Sequence, residues 1–351
     1  DLMGADASEI VFTSGATESN NTLLKGIARG MRDTGKGSHI ITSSIEHKCV
    51  LQTCALLERE GFEVTYIPPT PEGIIEPARV VQSIRPDTTL VSIMHANNEL
   101  GTLNDITSLG KTIQSIRKSK KGPSAPPEST PTCKDLETPI FHSDCAQSMG
   151  KSHIVPADMN VDAISFSGHK FCGPKGIGGF YLKNGVHCLP MLRGGSQEHN
   201  MRGGTENVPA IVGMAEAFKI SQTNRLAKNR HLRDMSVRIL NRLTESNMPF
   251  LLLGHLSLRM PNTLLLSFAF SGVCNAKILQ HLDDIGIDAS VGSACNTSSA
   301  EVSHVIRALN VSKDVRSGTV RISLGDENTL QECDSIADGL VEAVWKQWDG
   351  K

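Results

Sequence analysis

The sequence predicts an α/β protein whose large domain has a mainly parallel sheet, followed by a smaller α+β domain. The chain has 351 residues, of which 39% are hydrophobic, and this is ample for a large core in two lobes. Strand-like runs alternate with helical patterns, as where 39–44 precedes 50–60 and 89–94 precedes 106–119. Such spacing is typical of right-handed βαβ units. We therefore expect a large domain over 1–225 and a small domain over 226–351.

Composition excludes several classes of protein. The formal net charge is −2, so direct nucleic-acid binding is not expected, and no run approaches the ~18 apolar residues of a membrane span. The nine cysteines form no CxxC pairs, which favours an intracellular, reducing compartment and argues against a metal site. The chain begins at Asp1 rather than Met, which indicates that a segment was removed or that the sequence is partial.

The first motif is a short strand, a small-residue turn and a helix start over 11–21. Unpaired N–H groups at a helix N-terminus favour an anion, so this helix start is a candidate phosphate site. The alternative is an ordinary capped helix, with Thr17 as the cap and Asn20 near it.

Polar residues follow several later strands. His47 and Asn98 lie just past strand ends, although a lone histidine there is more often an ordinary loop residue. Asp144 ends the strand that begins at 140, and a buried carboxylate needs a partner. A protonated ring nitrogen, an arginine or backbone amides would each serve.

Residues 120–139 interrupt the alternation of strands and helices. The segment is rich in proline, serine and lysine and cannot bury enough apolar surface to offset its ordering entropy. We expect a disordered surface insertion and not a domain boundary.

The run 163–166 is a short buried strand that ends in Ser167-Gly168-His169-Lys170. A lysine at such a strand end is either a surface charge or an amine that forms a Schiff base with an aldehyde cofactor. The glycine-rich loops 193–198 and 201–207 follow, and loops of this kind are usually functional or interfacial.

The rest of the chain is expected to form a long helix over 209–245 and then the small domain. There the pattern predicts strands at 263–270 and 319–324, a strand-like run at 287–293, and helices at 276–285, 301–309 and the C-terminal end. A polar loop around Cys295 lies among them.

A strand-end lysine, a strand-end aspartate, a histidine, a phosphate seat and a loop cysteine together are what an enzyme using pyridoxal 5'-phosphate needs. The sequence resembles the cysteine desulfurase and selenocysteine lyase family of fold-type I pyridoxal-phosphate enzymes. The resemblance spans nearly the whole chain through the motifs TSGATESNN, SSIEHK, SIMHANNELG, HSDCAQSMGK, SFSGHKFCGPKGIGG, GGSQE, RGGTEN, SVGSAC and VRISLG.

The resemblance implies an aspartate-aminotransferase-like large domain, a homodimer and a specific role for each matching residue. Lys170 would hold the cofactor and move protons, Asp144 would partner the ring nitrogen, and His47 would stack on the ring and assist proton transfer. The remaining cofactor contacts would be Gln147 at the ring oxygen, Ala16, Thr17, Ser167 and His169 at the phosphate, and Thr205 at the phosphate of the neighbouring subunit.

The same resemblance implies how the substrate is handled. Asn98 and Arg321 would hold the carboxylate of L-cysteine, and Asn98 would also contact the cofactor. Cys295 would take the sulfur as a persulfide, leaving L-alanine, and pass it to an acceptor such as an iron–sulfur scaffold or a tRNA-thiolation system. The alternative for Cys295 is an incidental thiol, which is how we interpret the other eight cysteines.

Two departures from the family leave other functions open. The family's amino-terminal motif is absent, and Asp326 stands where the family usually has arginine, a change that could loosen a domain contact. These departures motivate one alternative, a catalytically impaired paralogue that acts as a binding subunit. The other alternative, a selenocysteine lyase, rests on the shared motifs.

Overall fold

The computed structural model describes residues 2–120, 138–270, 272–292 and 302–348, with the side chain of residue 120 left out. Contacts divide the chain into two compact units. The first comprises Asp1–Pro68, Ile75–Ala96 and Asn104–Thr223, and the second Pro69–Ile74, Asn97–Leu103 and Asn224–Lys351. The domain boundary at 225 stays a prediction. Most of the predicted insertion, and Cys295 with its neighbours, lie outside the described residues.

The first unit is built on a seven-stranded sheet in the order β1-β7-β6-β5-β4-β2-β3. Only β7 runs antiparallel to its neighbours, β1 and β6, so the prediction of a mainly parallel sheet is confirmed. The strands are β1 (Ile10–Thr13), β2 (His39–Ser43), β3 (Glu63–Ile67), β4 (Thr88–Ser92), β5 (Ile140–Asp144), β6 (Ala163–Ser167) and β7 (Gly178–Leu182).

Four central strands, β2, β4, β5 and β6, are buried along their whole length. This is expected of parallel strands that are covered on both faces. The helices of this unit are α1 (Ala16–Asp33), α2 (Lys48–Arg59), α3 (Pro77–Gln82), α4 (Ile106–Lys120), α5 (Pro156–Met159) and α6 (Val208–Thr223).

Helix α1 packs against the sheet through an apolar stripe. Leu23, Leu24, Ile27 and Met31 recur at helical spacing and are fully buried. They join residues of β2, β4 and β6 in one core cluster. This packing fixes the N-terminal end of α1 against the edge of the sheet where the strands end.

The second unit has a three-stranded antiparallel sheet in the order β10-β9-β8. Its strands are β8 (Leu251–Leu253), β9 (Thr263–Ser267) and β10 (Thr319–Ser323), and its helices are α7 (Arg225–Glu245), α8 (Asn275–Asp284), α9 (His304–Ala308), α10 (Lys313–Ser317) and α11 (Leu330–Trp345). Helices α7, α8 and α11 bury apolar faces in one core.

Two predicted elements differ from the structure. The single helix expected over 209–245 is broken at Asn224, which has non-helical backbone angles, into α6 and α7. The strand-like run at 287–293 makes one isolated bridge, between Ser290 and Arg321, and is not a full strand in its described part. Among the helices that the structure describes, none is long and apolar enough to cross a membrane.

Candidate active site

The predicted site residues of the first unit lie at the carboxyl edge of its sheet. Strand β5 ends at Asp144, and β6 ends at Ser167, immediately before a short 3-10 turn that contains Lys170. Strand β1 runs in the same direction and leads into α1. Parallel strands bring their carboxyl ends to one edge, where open α/β folds bind ligands.

Asp144 is buried and accepts two hydrogen bonds. One comes from Nδ2 of Asn20 at 2.7 Å and the other from the backbone N–H of Ala146 at 2.8 Å. Of the partners that the sequence left open, a backbone amide is therefore present. The side-chain amide of Asn20 was not foreseen, because sequence reasoning placed that residue beside a helix cap.

The start of α1 is the segment for which the sequence predicts a phosphate site. Its N-cap is Gly15, with no side-chain cap, so the alternative of a Thr17 cap is wrong. A Cβ on Gly15 would lie 3.4 Å from Oγ of Ser167, so the helix start and the end of β6 are close. The first-turn N–H groups of a helix lack intrahelical acceptors and suit an anion.

A carboxylate also lies in this first turn. Glu18 accepts from the backbone N–H of Ser14 at 2.8 Å and from Nε of Arg202 at 3.1 Å. Burial acts to raise the pKa of Glu18, but these two partners outweigh it and hold the pKa below its usual value. Arg202 thereby balances a negative charge that would otherwise disfavour an anion at the helix start.

Lys170 and His169 are exposed in the described chain. Nδ1 of His169 lies 3.0 Å from Oγ of Ser167. Partial burial, and the charges of Lys170 and Lys175, lower the pKa of His169. The imidazole is therefore a neutral hydrogen-bonding group near a lysine cluster that suits an anionic ligand.

His47 is half-buried and caps helix α2. Its Nδ1 accepts from the backbone N–H of Cys49 at 3.2 Å and lies 3.0 Å from the Cys49 sulfur. Sequence reasoning treated Cys49 as incidental, and the only signal was its position two residues after His47.

The remaining predicted residues of this unit lie in two loops. Gln147 is half-buried in the turn after Asp144. Thr205 is exposed and lines a cleft of about 200 Å³ together with Ser14, Glu198 and Arg202. Their roles stay predictions.

Asn98 and Arg321 both belong to the second unit, where they are in contact. Nη1 of Arg321 donates to the backbone oxygen of Asn98 at 3.0 Å. The next residue, Glu99, is fully buried, and neither of its carboxylate oxygens has a hydrogen-bond partner within the described ranges. Sequence reasoning did not single out Glu99.

Residues 1–119 and 127–336 match the family model of aminotransferase class-V. The chain therefore belongs to the class-V aminotransferase family, whose cysteine desulfurases use pyridoxal 5'-phosphate, and the predicted fold type and cofactor are confirmed. Within this family the similar curated proteins include several cysteine desulfurases. The chain is 41% identical over 347 residues to the cysteine desulfurase IscS of Methanosarcina thermophila, covering 99% of this chain and 79% of that protein.

Other relatives agree with this assignment. IscS of Pseudomonas syringae pv. syringae is 42% identical over 346 residues, with 98% of this chain and 79% of that protein covered. A solved NifS-like protein has a TM-score of 0.85 and 32% identity, with coverage of 98% and 85%. A structure of SspA in complex with cysteine has a TM-score of 0.74 and 35% identity, with coverage of 94% and 85%. The predicted resemblance to the cysteine desulfurase family is confirmed.

Proposed function

We propose that this chain is a cysteine desulfurase that converts L-cysteine to L-alanine and transfers the sulfur to Cys295. The observation that carries the proposal is the buried Asp144 carboxylate, held by neutral donors at the same sheet edge as Lys170 and the start of α1. The relatives named cysteine desulfurase, and the similar SspA structure that contains cysteine, support it.

The first unit offers a suitable donor set for pyridoxal phosphate. Lys170 would hold the aldehyde, Asp144 would partner the ring nitrogen, and His47 would stack on the ring. The other contacts would be Gln147 at the ring oxygen and Ala16, Thr17, Ser167 and His169 at the phosphate. When bound, the cofactor supplies an electron sink for the α-carbon of the substrate.

The chain's own residues then bind the substrate and move protons. Arg321 would bind the substrate carboxylate through its planar guanidinium group. Nη1 of this group donates to the backbone oxygen of Asn98, and this contact orients the side chain. Lys170 would carry the α-proton. Nδ1 of His47 accepts a backbone N–H, so a proton that His47 exchanges would be carried on Nε2.

Cys295 would act as the sulfur acceptor. Its thiolate attacks the sulfur of the substrate, an S–S bond forms, and the bond between Cβ and sulfur breaks. Cβ takes a proton and becomes the methyl group of alanine, while the thiol is oxidised to a persulfide. The carbon is reduced by the same electron pair, so no external oxidant is required.

We further propose that the enzyme is a homodimer in which Thr205 reaches the phosphate of the partner subunit. The persulfide would pass to a protein acceptor such as an iron–sulfur scaffold. A reducing compartment is in keeping with the seven described cysteines, all of which are free thiols.

Three variants test the proposal. Lys170→Ala should abolish both the visible absorbance of the cofactor-loaded protein and alanine production. Cys295→Ala should keep the absorbance and lose protein-bound persulfide. Cys172→Ala is the matched control, because this exposed thiol lies two residues after Lys170 and has no assigned role.

The outcomes separate the alternatives. Persulfide that persists in Cys295→Ala would contradict the role of Cys295. Slow turnover of L-cysteine beside rapid turnover of L-selenocysteine would identify a selenocysteine lyase. A wild-type chain that gains no visible absorbance with pyridoxal phosphate would identify an impaired binding subunit.

A further inference from the structure

The side chain of Asn20 joins two parts of the candidate site. It is fully buried on α1, three residues after Thr17. Its Nδ2 lies 2.7 Å from Oδ2 of Asp144 and 3.3 Å from the sulfur of Cys49, and its Oδ1 lies 2.6 Å from Oγ of Ser165. One amide therefore contacts both the predicted partner of the cofactor ring and a neighbour of His47.

The hydrogen bonds that run from Asn20 through Ser165 to His142 have only one consistent arrangement of donors and acceptors. A carboxylate only accepts, so Nδ2 must face Asp144 and Oδ1 must accept the Ser165 hydroxyl proton. Oγ of Ser165 then accepts from Nε2 of His142 at 3.2 Å. Nδ1 of His142 accepts from Oγ of Ser92 at 2.9 Å. Burial lowers the pKa of His142 to about 3, so the ring is neutral, as this arrangement requires.

The donors and acceptors between Asn20, Cys49 and His47 are fixed in the same way. The backbone N–H of Cys49 is aimed at Nδ1 of His47, so this nitrogen carries no proton and the Cys49 thiol must be the donor across the 3.0 Å contact. Burial, and the negative charge of Asp144, raise the pKa of Cys49 to about 12, although Asn20 and Thr17 oppose this. The thiol is therefore protonated at neutral pH, and its sulfur accepts the second proton of Nδ2.

We propose that Asn20 and Cys49 are positioning residues that couple Asp144 to His47 through one directional path of hydrogen bonds. In this path Asn20 donates to both Asp144 and Cys49, and Cys49 donates to Nδ1 of His47. With two donors at Nδ1, proton exchange by His47 is confined to Nε2. The assignment to the desulfurase reaction rests on the proposed function, whereas the hydrogen-bond path itself does not.

The test is ¹⁵N NMR of the full chain labelled at histidine, with and without added pyridoxal phosphate. A His47→Gln spectrum identifies the resonances of His47. We expect wild-type His47 to have an unprotonated Nδ1 that is shifted by hydrogen bonding. Cys49→Ala should move this resonance toward that of a less hydrogen-bonded nitrogen, and Cys49→Ser, which keeps a donor, should restore most of the shift.

A matched control and a kinetic readout complete the experiment. Cys54→Ala removes a buried thiol from the core side of the same helix and should leave the His47 resonances unchanged. A net hydrogen bond corresponds to roughly a fivefold change in rate, so Cys49→Ala should lower kcat about fivefold with little change in KM, and Cys49→Ser should recover it.

Two results would overturn the inference. One is a His47 Nδ1 resonance that stays in place in Cys49→Ala, and the other is an equal shift in Cys54→Ala. The NMR measurement on cofactor-free protein does not require catalysis. The inference can therefore fail while the Lys170→Ala test succeeds, and the reverse also holds.

Discussion

Glu46 makes the stability of this chain depend on pH, and Glu46→Gln tests that dependence. Glu46 is fully buried beside His47, and its Oε1 accepts from Oγ of Ser43 at 2.6 Å and from the backbone N–H of Met94 at 2.9 Å. Burial raises the pKa of Glu46 to about 8; the two hydrogen bonds oppose this, and the negative charge of Asp144 adds to it.

The sign of the effect follows from the two protonation states. The reference pKa of Glu46 is 4.5, so between pH 4.5 and about 8 the folded chain keeps a proton that the unfolded chain has released. The free energy of unfolding therefore falls as pH rises through this window, by up to about 1.4 kcal/mol for each pH unit. The stabilisation is fully present below pH 4.5 and is lost once the pH passes about 8.

Glutamine keeps an acceptor oxygen for Ser43 and Met94 but cannot ionise. The free energy of unfolding of Glu46→Gln minus that of the wild type should therefore increase by several kcal/mol between pH 5 and pH 8. Taking the difference cancels the other titrating groups that the two proteins share. Urea unfolding of both proteins at each pH, with constant m-values, measures it.

Glu216→Gln provides the matched control. Glu216 is exposed on α6 and forms a surface ion pair with Lys219 at 3.7 Å, so this variant should follow the wild type within about 1 kcal/mol at every pH. A difference between Glu46→Gln and the wild type that stays constant from pH 5 to pH 8 would refute the reasoning. It would mean that Glu46 is ionised in the folded chain throughout this range.

Two ion pairs give contrasting predictions. Arg117 and Asp162 form a buried pair in which Nη1 and Oδ1 are 3.2 Å apart, so Arg117→Met should lower the free energy of unfolding by about 3–5 kcal/mol in urea titrations. Adding Asp162→Asn should recover part of this loss, and no recovery would argue against an electrostatic cause. Asp326 pairs with Lys228 at 2.6 Å at a partly exposed site. Asp326→Ala should therefore change the free energy of unfolding by less than about 1 kcal/mol, and a larger loss would indicate that the residue at position 326 affects more than this surface pair.

The sequence predicted the sheet and its functional edge because both leave local signals. Asp144 and Ser167 each end a short strand that begins with apolar residues, and that pattern places a polar group where a buried strand leaves the sheet. The predicted strands at 263–270 and 319–324 likewise correspond to β9 and β10. Apolar alternation and its interruption are short-range properties, so a single sequence reveals them.

Contacts between distant segments left no such signal. Asn97–Leu103 joins the second unit, where the N–H of Leu103 donates to the oxygen of Leu258 at 2.9 Å. Asn20 and Asp144 are 124 positions apart. By pattern, an asparagine near a helix start resembles an ordinary capping residue, and only packing of α1 across the sheet directs the amide of Asn20 to the carboxylate.

The same limit explains why the sequence left three partners open for Asp144. The pattern showed that a buried carboxylate needs a donor but not whether the donor is charged. Asp162 faces the guanidinium of Arg117, so its charge is already balanced. The described donors to Asp144 are Asn20 and a backbone N–H, both neutral, so they orient the carboxylate and leave its charge to attract a cation. Of the three partners, the backbone amide is present in the structure, and the pairing of Asp144 with a protonated ring nitrogen stays a prediction.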